Sequence, residues 1–509
     1  MRLSFFPQRP DHPLADPKEL KRILAELHLD KPAKAIDEVR GWFESLEHAE
    51  HFRLDRYFDV LRQLDEAAQA HLRPLLRDYL QAPRLSRVEE ERQWARNYGY
   101  WHDIAALYNG CLERARLDPK SKGSEAFGAS VPLAMLRTQA ARCAQLKWLA
   151  YRYRSSAEDI WKSLGTNYLA AEPAAHTQKS LQLYPAQSGL SSVAQQYLHA
   201  VVFATSSVDS LMPLQIELAD RLIAHFLPHF VLSPHCSADS VYWVDAGNGL
   251  APLRLARPPT AQQSGLRYFS PATAPQALDE LIHVVEQGEV PPDLNLGGKY
   301  TQRVLLPVLR HLRLHWALRP PQRQHRRHAV TTRMLVLRGF DESYTVFSGV
   351  QPSPTDVPNI ENWVVENVSL GGFRAYLDDA PAVQAKLGAL LCAQPEGGQN
   401  WLLGVARRFS RNTARRANLG VQVLARQAQS IELRPRRSGF SAAIAIPGIW
   451  LCDGGQAGVE RIVLPLGGFN VREAVEFSHD GRLFSLRPVD LEETGSDFEI
   501  GRFHVQKLS

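Results

Sequence analysis

Arginine is the residue type whose placement in this chain calls for chemistry. Residues 301–340 hold nine arginines with no lysine, Asp or Glu, and residues 401–440 hold nine arginines against one acid, Glu432. A guanidinium presents a planar fork of N–H donors that grips phosphate bidentately, matches the O6/N7 edge of guanine and stacks on flat rings. Arg303, Arg310 and Arg313 are spaced along an expected helix and read as ordinary surface charge. Arg319, Arg323, Arg326 and Arg327 are crowded onto a linker containing Pro320 and Pro321, immediately ahead of an expected strand. Like charges packed this closely repel unless an anion neutralises them. Charge alone leaves an anion site and a solvated basic surface equally open.

A second element is Asn367-Val368-Ser369-Leu370-Gly371-Gly372, followed by Phe373-Arg374-Ala375. Asn and Ser flank a strand end, and the two glycines turn the chain. Short polar side chains of this kind hydrogen-bond a ligand or cap a turn, and glycine permits close backbone approach. Taken alone, the segment reads as a strand-turn-strand corner.

Patterns that would mark an enzyme are missing. The sequence has no HExxH, GxSxG, P-loop or GxGxxG motif. Asn295-Leu-Gly-Gly-Lys299 is too short for a P-loop, and Asp245-Ala-Gly-Asn-Gly249 lacks the final glycine and following helix of a dinucleotide fingerprint. His311, His315, His325 and His328 have no neighbouring acid in sequence and read as core or surface histidines, so no metal is expected. Tyr98, Tyr100 and Trp101, followed by His102 and Asp103, read as packing between helices.

Bulk properties agree with a folded binding protein. The chain has 509 residues, 44% hydrophobic and 22% charged, with a net charge of +5. That length implies about three domains. The mild basic excess permits anionic ligands without demanding a nucleic-acid polymer. Five scattered cysteines (Cys111, Cys143, Cys236, Cys392, Cys452) form no CxxC pair, which argues against a disulfide framework and for a reducing compartment. Met1 to Pro13 lacks the apolar stretch of a signal peptide. The greasiest run, Leu198–Thr205, is far shorter than the roughly 20 residues a membrane helix needs. A cytoplasmic protein without a membrane span is expected.

The elements that must position the two motifs follow from hydrophobic periodicity. From residue 1 to about 230 the chain reads as helical. Tyr57, Leu61, Leu64, Ala68, Leu72, Leu75, Leu76 and Tyr79 follow the three-four spacing of a one-sided helix. Pro74 is expected to restart that helix at a first turn. Further helices are expected over 16–27, 34–46, 89–116, 131–153, 191–203 and 210–226, the last capped by Ser210, with a loop over 170–188. No repeat of fixed period is evident, so an irregular helical domain is expected.

Residues 231–318 read as a mixed α/β connection, with strands at 240–244 and 266–269 and helices at 276–286 and 299–316. Beyond Arg319 short runs rich in branched and aromatic residues recur at 330–337, 363–368, 372–377, 401–407, 420–424 and 430–433, which suggests a small antiparallel barrel. Asp341–Asn362 is expected to be an enlarged loop. Runs at 449–452, 462–465, 475–478 and 483–487 suggest a second small barrel or an extension of the first. The fold class is therefore α+β and multidomain. The expected domains are 1–230 (helical), 231–318 (connecting), 319–437 (first barrel) and 438–509 (C-terminal, β-rich).

In order, the two motifs resemble the PilZ domain, a bacterial receptor for cyclic di-GMP. Its signature is RxxxR on an N-terminal arm followed by [DN]xSxxG on a barrel. Arg323-Gln-His-Arg-Arg327 supplies the first part, and Asn367, Ser369 and Gly372 the second. His328-Ala-Val330 leads into a strand, and Trp401–Arg408 and Leu419–Val423 look like the late hairpin of that barrel. Arg319-Pro-Pro-Gln-Arg323 also satisfies RxxxR, but the strand begins just after Arg327, which favours the later register.

The resemblance covers about residues 319–435. It implies a ligand with two phosphates and two guanines, held by Arg323 and Arg327 from the arm and by Asn367, Ser369 and Gly372 from the barrel. Arg326 and Arg374 are secondary contacts by proximity. It implies a receptor rather than an enzyme, with an unidentified effector protein met through the helical N-terminal region. Two other readings compete: a helical scaffold or adaptor whose barrel binds nothing, and a non-specific polyanion or nucleic-acid binder.

Overall fold

The computed structural model describes the chain except residues 1–11, 28–29, 82–85, 156–157, 188, 257–258, 260–263, 323–324, 350–359, 378–386, 412–416, 436–444, 454–457 and 509. It divides into two compact units, Met1–Pro321 and Gln322–Ser509.

The first unit opens with α1 (Pro17–Glu26), α2 (Pro32–Glu47), α3 (Leu54–Gln81), α4 (Arg87–Leu117) and α5 (Ser124–Phe127). It continues with α6 (Val131–Tyr151), α7 (Glu158–Ala171), α8 (Val193–Thr205) and α9 (Pro213–Phe226). β1 (Val231–Ser233), β2 (Tyr242–Asp245), β3 (Leu253–Arg254) and β4 (Leu266–Ser270) form an antiparallel sheet in the order β1-β4-β2-β3. Helices α10 (Ala274–Glu286) and α11 (Gln302–His315) complete the unit.

Two expectations for this unit are corrected. Pro74 lies inside α3, which runs unbroken to Gln81. Buried Leu61, Leu64, Ala68, Leu72 and Leu75 keep one continuous face there, so packing outweighs the one ladder bond that proline removes. Ser210 does not cap the helix at 213–226. It closes a short 3-10 turn and its hydroxyl donates to the Ser207 carbonyl (2.8 Å). Met212 stands at the cap position, with its N–H satisfied by Gln215 Oε1 (2.9 Å).

A buried polar knot ties the helices together. Asp65 of α3 accepts hydrogen bonds from the hydroxyls of Tyr100 (2.6 Å), Tyr108 (2.7 Å) and Tyr184 (3.3 Å). Arg137 of α6 approaches the same carboxylate (3.5 Å), pairs with Glu66 (2.6 Å) and lies over the Tyr184 ring. Burial pushes the Asp65 carboxyl up, against the opposing pull of Arg137 and the tyrosines. Tyr184 belongs to the loop expected over 170–188, so that loop is fixed by its hydroxyl.

The second unit is two closed six-stranded barrels. The first holds β5 (His328–Arg338), β6 (Glu361–Ser369), β7 (Gly372–Leu377), β8 (Leu390–Pro395), β9 (Leu402–Arg411) and β10 (Ala417–Ala425), with α12 (Phe340–Phe347) between β5 and β6. The second holds β11 (Ala428–Pro435), β12 (Ile446–Leu451), β13 (Val459–Pro465), β14 (Val475–His479), β15 (Arg482–Thr494) and β16 (Phe498–Leu508). Around the first, the strands run β5-β6-β7-β10-β9-β8 and back to β5; around the second they run β11-β12-β13-β16-β15-β14 and back to β11. Strand for strand, the two orders are the same. All pairs are antiparallel.

The α+β multidomain architecture matches the sequence reading, and four details differ. The run at 430–433 belongs to β11 and the second barrel, because its ladder partners are β12 and β14. The segment expected as a loop from Asp341 contains α12, whose Phe340, Ser343 and Val346 are buried. β8 and β16 had no counterpart in the sequence reading. The barrels share a core that includes Phe340, Leu390, Val405, Ile449, Phe498 and Ile500. Between them the Asp497 carboxylate accepts the Leu390 N–H (3.0 Å), and Arg407 forms a forked pair with Glu493.

Replacing Arg137 with Ala removes the cation that offsets burial of the Asp65 carboxylate and leaves the tyrosine hydroxyls to hold it. A loss of about 3–5 kcal/mol is expected in urea unfolding followed by circular dichroism. Tyr184→Phe, which removes one hydrogen bond, is expected to cost only about 1 kcal/mol.

Candidate ligand-binding site

The site is built where β5, β6 and β7 meet. β6 and β7 are joined by the two-residue turn Leu370-Gly371, with Ser369 opposite Gly372. β7 alternates, with Phe373, Ala375 and Leu377 buried in the barrel, so Gly372, Arg374 and Tyr376 face outward. A bulge at Glu366 shifts the β6 register, setting Asn367 opposite Arg374 and bringing Asn367 and Ser369 to that outer face. On the other side of β6, His328 stands opposite Val368 and Ala329 opposite Asn367. The arm therefore joins the sheet beside the second motif, and Arg327 immediately precedes this ladder.

Each expected site residue has a distinct setting. Arg323 lies outside the described residues. Arg326 and Arg327 are exposed. Ser369 Oγ donates to the Gly372 carbonyl (3.0 Å), bracing the turn from within. Asn367 is half-buried, and its Oδ1 is buried without a hydrogen-bond partner among the described residues. Arg374 forms a loose pair with Glu366 (3.4 Å) and is about two-fifths exposed. His325, between the two arm arginines, lies over the turn: a Cβ added to Gly371 would come 3.2 Å from its Cδ2.

Gly372 has a backbone reason to be glycine. A Cβ there would overlap the Val421 carbonyl oxygen of β10. β10 also holds the turn itself, since the Val423 N–H donates to the Gly371 carbonyl (3.1 Å). Two features escaped the sequence reading. Gly420 lies opposite Arg374 on one side and Arg408 on the other, leaving a bare strip of outer surface between two guanidinium-bearing positions. Arg426, just after β10, donates from Nη2 to the Leu370 carbonyl (2.9 Å). Neither has a sequence signal, because both depend on strand pairing.

Upstream, Pro320 and Pro321 are anchored. The Arg254 guanidinium of β3 donates to both carbonyls, at 2.7 and 3.1 Å. Arg319 thus precedes this anchor, while Arg326 and Arg327 follow it. The His311 ring nitrogen meets the Ser206 carbonyl (2.7 Å), and the Trp316 indole donates to Ser206 Oγ (2.9 Å), which tie α11 into the helical unit. Among the described residues, no group of three or more metal-ligating side chains is assembled, and no helix is long and apolar enough to cross a membrane.

Residues 18–235 match the family described as the N-terminal domain of the cyclic-di-GMP receptor FimW. The match covers most of the helical unit, stops short of both barrels, and supports a cyclic di-GMP receptor. Neither the curated proteins nor the solved structures contain a match to this chain.

Gly372→Ala is expected to strain the β7–β10 pairing, because the obstacle is backbone rather than a movable side chain. The cost should be about 1–3 kcal/mol, read as a lower melting temperature of the full chain without ligand. Gly371→Ala meets only the His325 ring and should leave the melting temperature nearly unchanged.

Proposed function

We propose that this chain is a PilZ-type receptor in which the arm bearing Arg323 and Arg327 clamps cyclic di-GMP against the β6–β7 corner of the first barrel. The observation that carries this reading is the meeting of the two motifs. The strand entered from Arg327 pairs with β6 at Asn367, whose buried carbonyl oxygen has no partner among the described residues. A buried acceptor left unpaired costs about 1–3 kcal/mol. A ligand N–H that meets it recovers that loss, and guanine carries such donors as well as the O6/N7 edge that arginine reads. The family match over 18–235 supports the same messenger independently of the barrel motifs.

In this reading Arg323 and Arg327 take phosphate and the guanine O6/N7 edge, and Asn367 and Ser369 meet a guanine and its neighbouring phosphate. Gly372 acts by letting β7 approach β10, and Arg326 and Arg374 are secondary contacts. Each charge-assisted contact contributes about 1.5–3 kcal/mol. The protein acts by binding, in the cytoplasm, with no metal. Ligand orders the arm and changes the arrangement of the domains, and the helical region passes that change to an effector protein.

Titration calorimetry of the full chain with cyclic di-GMP should give a saturable isotherm with a micromolar or tighter Kd, about −8 kcal/mol or better. Arg323→Ala should lose most of that affinity. Random DNA competing equally, with a steep salt dependence, would instead support a polyanion binder. Hydrogen exchange across residues 299–330 should slow on adding ligand; unchanged exchange would remove the arm-ordering step.

A further inference from the structure

We propose that Arg426 is a further ligand-binding residue, delivered to the β6–β7 corner by the second barrel and poised to contact a phosphate of the bound dinucleotide. This rests on the reading of that corner as the cyclic di-GMP site. The argument begins with the repeated topology. β5 to β10 and β11 to β16 close in the same strand order, so the second barrel is a topological copy of the first. In the first copy, the arm arginines Arg326 and Arg327 stand just before the opening strand, β5. In the second, Arg426 stands just before β11, at the position matching Arg326.

The second copy has no corner of its own to serve. β6 carries Asn367 and Ser369 and turns into β7 through Leu370-Gly371, whereas β12 (Ile446–Leu451) and its connection to β13, residues 452–458, contain neither Asn nor Ser. This connection holds the second arm instead. Both Asp453 carboxylate oxygens accept the Arg426 N–H (3.0 and 2.9 Å), and one also accepts the Gln427 N–H (3.1 Å). The Cys452 N–H donates to the Gln427 carbonyl (2.9 Å). With its backbone pinned, Arg426 extends to the first barrel and donates from Nη2 to the Leu370 carbonyl. It is exposed, and no carboxylate pairs with its guanidinium among the described residues.

The local charges favour an anion. Arg326, Arg327, Arg374, Arg408 and Arg426 are set around the corner, against Glu366 and Asp453. Glu366 is paired with Arg374, and Asp453 is occupied by backbone amides. One guanidinium nitrogen of Arg426 is committed to a neutral carbonyl, and the rest of the fork remains available to a phosphate diester. A charged acceptor forms the stronger bond, so ligand would draw Arg426 into direct contact. The copy without such a corner thus supplies a donor to the one that has it.

The test is calorimetry of the full chain with cyclic di-GMP at fixed salt, comparing wild type, Arg426→Ala, Arg426→Lys and Arg434→Ala. Arg434, exposed on β11, is the control for losing one positive charge. Arg426→Ala should weaken binding by about tenfold or more. Arg434→Ala should stay within about twofold of wild type, since an exposed charge outside the site is screened. Arg426→Lys should fall between wild type and Arg426→Ala, because it keeps the charge and loses the fork. If wild type binds and Arg426→Ala binds equally well, or Arg434→Ala loses as much, this inference falls while the receptor reading stands. If wild type does not bind, both fall. Should melting curves show Arg426→Ala to be misfolded, Arg426→Lys decides: several-fold weaker binding supports the contact, and wild-type affinity overturns it.

Discussion

The close approach of β10 to the start of β7 is the constraint on which the candidate site depends. At Gly372 the two backbones are near enough that no side chain fits between them. Val423 and Arg426 then fasten the carbonyls of Gly371 and Leu370 from the same side. A turn of two residues would otherwise be free to rock. Held this way, it presents Asn367, Ser369 and Arg374 on one outer face. A corner held this way meets the ordering cost of its own turn in the folded protein rather than on binding.

The molecule places its arginines in two contrasting environments. In the helical unit Arg137 is fully enclosed and satisfied by Asp65, Glu66, Tyr108 and Tyr184, where it fixes how α3, α4 and α6 meet. At the barrel corner Arg326, Arg408 and Arg426 are exposed. A buried, paired guanidinium is costly to disturb and contributes to a unique packing, whereas an exposed, under-paired one raises the local positive potential and attracts anions. Arg407 resembles Arg408 in sequence, yet it is committed to Gln422 and Glu493 and serves the contact between barrels.

The repeated strand order gives the second barrel a place in this scheme. No sequence similarity announces the repeat: one corner turns in two residues, and the other spans 452–458 around Asp453. The shared feature is the closure pattern, and closing a six-stranded sheet on itself removes its exposed edges whatever the loops contain. The loops are then free to diverge, one toward the motif at 367–372 and the other toward anchoring the chain at 426–427.

Much of this was legible in the residues themselves. Periodicity located most of the long helices because a one-sided apolar stripe must be buried, while α7 (Glu158–Ala171) had no counterpart in the expected elements. Side-chain chemistry pointed to crowded arginines and a polar turn, and it is the resemblance to the PilZ signature that singled out Arg323, Arg327, Asn367, Ser369 and Gly372. What escaped was set by non-local packing: Pro74 tolerated within a continuous buried face, α12 in an expected loop, and β8 and β16, whose places are given by their ladder partners. The run at 430–433 passed to the other barrel for the same reason, since a strand's sheet is chosen by its ladder partners and not by its own composition. The sequence by itself determined which side chains can grip an anion and roughly where strands and helices form. Only the tertiary structure decided which strands are neighbours, and therefore that Gly420 lies between Arg374 and Arg408 and that Arg426 reaches Leu370, because hydrogen-bond register between distant segments is fixed when the closed sheet buries its inner face.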